Sequence, residues 1–125
     1  MKYGKISLIT DQYDTINLGD VLQDLACDYL YHTMGIREEQ VIEISCNEMC
    51  TYDGEYTVVP VYNAVLDGYF EPYHTLSPKI IPVFLGLASD LSILPRNTVD
   101  YLKQYEPIGC RDQYTLDLMR EHGIR

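Results

Sequence analysis

The alternation of apolar and polar positions changes period several times along the chain, and each change marks an element. Lys5-Ile6-Ser7-Leu8-Ile9-Thr10 reads as a first strand, followed by a polar loop from Asp11 to Leu18. From Asp20 to Met34, Leu22, Leu25, Ala26, Tyr29 and Leu30 recur at helical spacing on one face, with Gln23, Asp24, Asp28 and His32 away from it. Such a stripe is the face an amphipathic helix ordinarily turns to the core, and Gly35 is the expected stop. Val41-Ile42-Glu43-Ile44-Ser45 reads as a second strand and Tyr56 to Val61 as a third, with Pro60 expected at its end because proline cannot donate to a ladder. A turn at Asp53-Gly54 lies between them. The stretch from Tyr62 to Pro78 is punctuated by Asp67-Gly68, Glu71-Pro72 and Ser77-Pro78 and reads as an irregular loop with a helical turn. Lys79 to Leu87 is a nearly continuous apolar run, which suits a parallel strand covered on both faces and placed centrally in its sheet.

Towards the carboxyl terminus, Asn97 is expected to cap a helix through Tyr105, with Asp100 at the third helical position. Ile108-Gly109-Cys110 reads as a short strand. Asp112 caps a final helix with Leu116 and Met119 on its buried face, and Gly123 serves its left-handed exit. Strands alternating with helices imply an α/β fold: a Rossmann-like, mostly parallel sheet with flanking helices and right-handed crossovers. A chain of 125 residues is expected to form one such domain.

Charge narrows the partners. A formal net charge of −10 argues against nucleic acid and anionic membrane surfaces, which need a basic footprint. No apolar run approaches the roughly 20 residues of a membrane-spanning helix, and Met1 to Lys5 leads into a strand rather than a signal-peptide core, so a cytoplasmic location is expected. The four cysteines are then expected as free thiols. Cys46 and Cys50 have metal-ligand spacing but no accompanying second pair, so no metal site is expected. Neither G-x-G-x-x-G nor G-x-x-x-x-G-K-[ST] occurs, which leaves dinucleotide cofactors and P-loop phosphate binding unsupported. His32 and His122 fall near helix carboxyl ends on solvated surfaces, and no Ser-His-Asp or Cys-His arrangement can be read.

Three features are left as candidate chemistry. Asn17, Gly19 and Asp20 lie where the first strand gives way to the first helix, the position at which open α/β sheets recruit ligands. Asn17 and Asp20 suit sugar hydroxyls and Gly19 admits a backbone amide to a ligand; alternatively Asn17 or Asp20 caps the helix, the commoner use of these residues there. Arg111 and Asp112 occupy the equivalent place after the last strand. Arg111 either binds a carboxylate or phosphate in bidentate fashion or pairs with an acid of its own chain. Of twelve tyrosines, Tyr52, Tyr56, Tyr62, Tyr69 and Tyr73 gather mid-chain, where they either stack on sugars or serve as half-buried packing.

The order of strand, Asn17-Leu18-Gly19-Asp20-Val21-Leu22-Gln23, long amphipathic helix, central apolar strand and Ile108-Gly109-Cys110-Arg111-Asp112-Gln113-Tyr114-Thr115 resembles the amino-terminal half of the polysaccharide pyruvyl transferase family. The resemblance spans nearly the whole chain. It implies one Rossmann-like half of a two-domain architecture similar to B-type glycosyltransferases, with Asn17, Gly19, Asp20, Arg111 and Asp112 as substrate-binding residues. The implied activity moves a pyruvyl group from phosphoenolpyruvate to a sugar of a cell-surface polysaccharide as a ketal, with no cofactor. The family's glycine-rich turn after the third strand has no counterpart in Val58-Val59-Pro60-Val61-Tyr62-Asn63. The resemblance further implies that a second half, absent here, carries much of the phosphoenolpyruvate site, so the chain by itself is expected to be inactive. Two other readings stand beside it: a non-catalytic sugar-binding or interaction module, and a nucleotide-sugar glycosyltransferase-like domain.

Overall fold

The structure, a computed structural model of the chain, describes residues 1–7, 18–62, 64–65, 70, 73 and 75–125. Strands β1 (Lys2–Ser7), β2 (Val41–Ser45), β3 (Thr57–Val61) and β5 (Ile80–Phe84) form a sheet in the order β2-β1-β3-β5, and every neighbouring pair is parallel. Two short strands, β4 (Ala64–Val65) and β6 (Leu87–Ala88), form a second parallel pair. Thr57 stands opposite Ile80 and Ala64 opposite Leu87, the same offset, so the short pair continues the β3–β5 ladder beyond Tyr62 and Gly86. Three α-helices are described: α1 (Leu18–Thr33), α2 (Arg96–Lys103) and α3 (Gln113–Glu121). The α/β class and the parallel sheet with flanking helices agree with the expectation from element alternation.

Register assigns the two faces. Ile6, Ile44, Val59, Val61, Ile80 and Phe84 fall on one face and join Leu102, Leu118 and Met119 of α2 and α3 in the main core. Phe70 stacks on Phe84 at 6.2 Å and meets Tyr101 edge-on at 6.0 Å. The opposite face carries Tyr3, Lys5, Glu43 and Val58, and α1 packs there. That face has a lysine at its middle, which decides how α1 sits.

The expected orientation of α1 is corrected by this packing. Its buried residues are Cys27 and Tyr31, while Leu22, Leu25, Ala26, Tyr29 and Leu30 are exposed. Lys5 is only 7% exposed, and its Nζ lies 3.2 Å from Asp24, 3.0 Å from Asp28 and 3.6 Å from Glu43. A buried ammonium needs carboxylates more than the helix needs to bury leucines there, so the polar side of α1 faces the sheet. Burial alone would pull the Lys5 pKa down; the bonds and charges of Asp28 and Asp24 outweigh it and raise the pKa above the ordinary lysine value.

Other expectations shift by smaller amounts. The first strand begins at Lys2 rather than Lys5 and is described as far as Ser7; residues 8–10 lie outside the described residues. The apolar run ending at Leu87 is not central: β5 is the last strand of its sheet, with Val83 and Leu85 exposed. Among the described residues it gains a second neighbour only at Phe84 and Leu87, where Gly109 N–H donates to Phe84 C=O at 3.0 Å and Leu87 N–H to Gly109 C=O at 2.8 Å. The expected strand Ile108 to Cys110 is thereby reduced to one parallel bridge, Leu87 to Cys110. Helix α2 starts at Arg96 without a side-chain cap; Asn97 lies inside it and donates to Tyr73 C=O at 3.2 Å. On α3 the buried residues are Thr115, Leu118 and Met119, with Leu116 half-buried. His122 is half-buried rather than solvated, its Nε2 accepting from Leu94 N–H at 3.4 Å.

Both glycine stops take their expected form. Gly35 (φ +73°) and Gly123 (φ +68°) close paired hydrogen bonds: Ile36 N–H to Tyr31 C=O and Gly35 N–H to His32 C=O, each 3.0 Å, and Ile124 N–H to Met119 C=O at 2.9 Å with Gly123 N–H to Arg120 C=O at 3.0 Å. Burial of Ile124 and Met119 completes the second motif hydrophobically.

Candidate functional site

Because all paired strands are parallel, their carboxyl ends lie along one edge of the sheet, and loops leaving that edge are the natural ligand positions of an open α/β fold. At the β1–β2 side, Gly19 and Asp20 sit in the first turn of α1, where the carboxylate complements the helix dipole. Asp20 is the third residue of the helix and so stands inside it, beyond the capping position. Asn17 lies outside the described residues. Cys46 follows β2 directly, and burial pushes its thiol pKa up, with a small addition from the charge of Asp20.

At the other side, Arg111 N–H donates to Leu87 C=O at 2.8 Å, so the Arg111-Asp112 turn leaves the sheet beside the end of β6. Asp112 takes the capping role read from sequence: in extended conformation it accepts Thr115 N–H on Oδ1 at 2.8 Å. That backbone bond first, and the Arg111 charge least, hold its carboxyl below the usual aspartate range. Thr115 Oγ1 in turn accepts Ser89 N–H at 3.0 Å, Ser89 Oγ accepts Leu91 N–H at 3.1 Å, and Tyr114 donates to Leu91 C=O at 2.8 Å. The loop after β6 is therefore tied to the first turn of α3, and Arg111 is an exposed residue beside Asp112. Ser89 is a neighbour of this turn that sequence reasoning missed, because the Leu87 to Cys110 bridge and its bond to Thr115 bring it there.

The two motifs share an edge without touching each other's strands. Between the end of β2 and the Arg111 turn stand β1, β3 and the β5–β6 line, a span of roughly 15–20 Å at the usual strand spacing.

Two grooves lie away from these residues. One of about 590 Å³ runs between the carboxyl half of α1 and β2, lined by Lys5, Asp28, Tyr31, His32, Glu38 and Glu43. The other, about 530 Å³, lies where the chain enters β5 and is lined by Tyr52, Asp53, Tyr73, Thr75, Ser77 and Lys79. Next to it the Lys79 ammonium stands 4.6 Å from the centre of the Tyr56 ring. Thus Tyr52 and Tyr73 of the mid-chain tyrosines do share a concave surface, while Tyr69 lies outside the described residues. Among the described residues no helix is long and apolar enough to cross a membrane. No protein-family model, curated protein or solved structure matches the chain.

Proposed function

We propose that the chain is the amino-terminal, acceptor-side domain of a polysaccharide pyruvyl transferase-like enzyme, which moves the pyruvyl group of phosphoenolpyruvate to a sugar. The observation that carries the reading is the parallel sheet, from whose carboxyl edge both Gly19-Asp20 and Arg111-Asp112 leave. In this reading Asn17 and Asp20 hold sugar hydroxyls. The exposed Arg111 binds the carboxylate or departing phosphate of the donor, and Asp112, with one oxygen spent on the cap, fixes the turn that presents it. Two sugar hydroxyls must add to the enol carbon while phosphate leaves, so acceptor and donor have to be held together. The described edge supplies Arg111 against several carboxylates, so the donor's remaining charge is matched by a second half of the enzyme.

The test measures phosphate release from phosphoenolpyruvate with candidate sugars beside thermal melting. Residues 1–125 by themselves should show no turnover but should bind an oligosaccharide weakly, and Asp20→Ala or Arg111→Ala should weaken that binding while leaving the melting temperature in place. In a protein carrying both halves, Arg111→Ala should cut turnover more than stability. Robust turnover by residues 1–125 would end the half-enzyme reading, and unchanged turnover in the two-half Arg111→Ala protein would remove that residue from the site.

A second reading, a non-catalytic sugar-binding module, is favoured by one observation: the groove of about 530 Å³ that brings together the rings of Tyr52 and Tyr73 with Asp53 and Ser77. Sugar-induced NMR shifts distinguish the two, clustering at Tyr52 and Tyr73 for the module and at Asp20 and Arg111 for the acceptor domain.

A further inference from the structure

The outer face of α1 is an apolar surface that the fold leaves exposed. Leu18, Leu22, Leu25 and Tyr29 are between 58% and 71% exposed and lie on the side of α1 turned away from the Asp24, Cys27 and Tyr31 side that meets the sheet, with exposed Leu30 to one flank. At these exposures the four side chains present on the order of 500 Å² of largely apolar surface, at the upper end for the largest patch of a typical monomer, and two such patches together reach the roughly 1,000 Å² that a specific interface needs.

We propose that this face is the symmetric interface of a homodimer, in which α1 packs antiparallel against α1 of a second copy of the chain. The spacing identifies the occupant as a helix. Leu18, Leu22, Leu25 and Tyr29 follow one another at intervals of four, three and four residues, the seam spacing of knobs-into-holes packing. The stripe is also symmetric about its own centre. When two copies run antiparallel, Leu22 meets Leu25 of the partner subunit and Leu18 meets Tyr29 of the partner subunit, and the two-fold axis makes each contact twice, as an isologous interface requires. Charge permits the pairing despite the net −10, because no carboxylate lies in the seam: Asp24 and Asp28 are turned towards Lys5, and Val21 and Ala26 flank the leucines. Antiparallel docking also sets the two helix dipoles head to tail.

Sedimentation velocity across a concentration series tests this. The wild-type chain should sediment as a dimer at tens of micromolar, and the double variant Leu22→Glu with Leu25→Glu should weaken dimerisation by at least about 100-fold, since it places charge at the centre of the seam. Both residues are exposed within one chain, so circular dichroism of the variant at low concentration should match the wild-type monomer. Orientation is read separately by oxidising mixtures of two differently tagged chains. Leu22→Cys should cross-link to Leu25→Cys faster than to a second Leu22→Cys chain. A wild-type monomer at all concentrations, a dimer indifferent to the two glutamates, or preferential pairing of Leu22→Cys with itself would each overturn the proposal.

Discussion

Removing one hydroxyl, in Tyr31→Phe, tests how the fold compensates for a proline inside its sheet. The register of β1 on β3, with Lys2 N–H donating to Tyr56 C=O at 3.1 Å, sets the nitrogen of Pro60 opposite the carbonyl of Gly4. Proline has no hydrogen to give, and the β1–β3 ladder stops at Tyr3 and Val58. The vacant carbonyl is served from α1 instead: the Tyr31 hydroxyl donates to Gly4 C=O at 2.5 Å. Tyr31→Phe keeps the ring against Tyr3 but leaves a buried carbonyl unpaired, a loss of about 1–3 kcal/mol. For a domain of this size the melting temperature should fall by roughly 3–12 °C. Urea unfolding followed by circular dichroism should show a lower midpoint at constant m-value. The decisive assay is the double-mutant cycle with Pro60→Ala, which restores an N–H at the place the hydroxyl served. Pro60→Ala should be costly or neutral with Tyr31 present, and should recover part of the loss in the Tyr31→Phe background. Additivity of the two changes within about 0.5 kcal/mol would refute the argument.

Three further outcomes follow from the same packing. Gly4→Ala should cost about 1–3 kcal/mol in urea unfolding, because its added methyl would lie 2.6 Å from Val59 Cγ2 and 2.8 Å from Thr57 Cγ2, where a packed sheet cannot yield. Stability should fall as pH rises beyond about 10: the raised pKa values of Lys5 and of Tyr31, the latter pushed up chiefly by burial, make contributions that are complete below the unfolded values and lost through the folded ones. Lys5→Met and Tyr31→Phe should each flatten that alkaline limb. On the acid side, backbone bonds from Thr115 and from Arg125 hold Asp112 and Glu106 low, so their stabilisation is complete above about pH 4.5 and lost as pH falls through their folded values; Asp112→Asn should shrink the slope of an acid titration of the melting temperature.

Features that depend on a few consecutive residues were legible without the fold. Val41–Ser45 is a strand as read, Gly35 and Gly123 end their helices because only positive φ closes those paired bonds, and Asp112 caps α3 because its carboxylate reaches Thr115 N–H three residues on. The parallel sheet followed from the alternation of strands with helices. Periodicity also located the stripe on α1 correctly, yet said nothing of which side meets the sheet. That was decided by Lys5, nineteen residues before Asp24, whose ammonium could be buried only under carboxylates. The place of Ile80 to Leu87 was likewise a tertiary matter: an apolar run records how much of a strand is covered, not which strands stand beside it, and the partner on its far side is a single bridge from Cys110. Sequence could nominate Asp20 and Arg111 as residues after strand ends; only the strand order, which sets β3 between β1 and the β5–β6 line, decided that their strands are not neighbours.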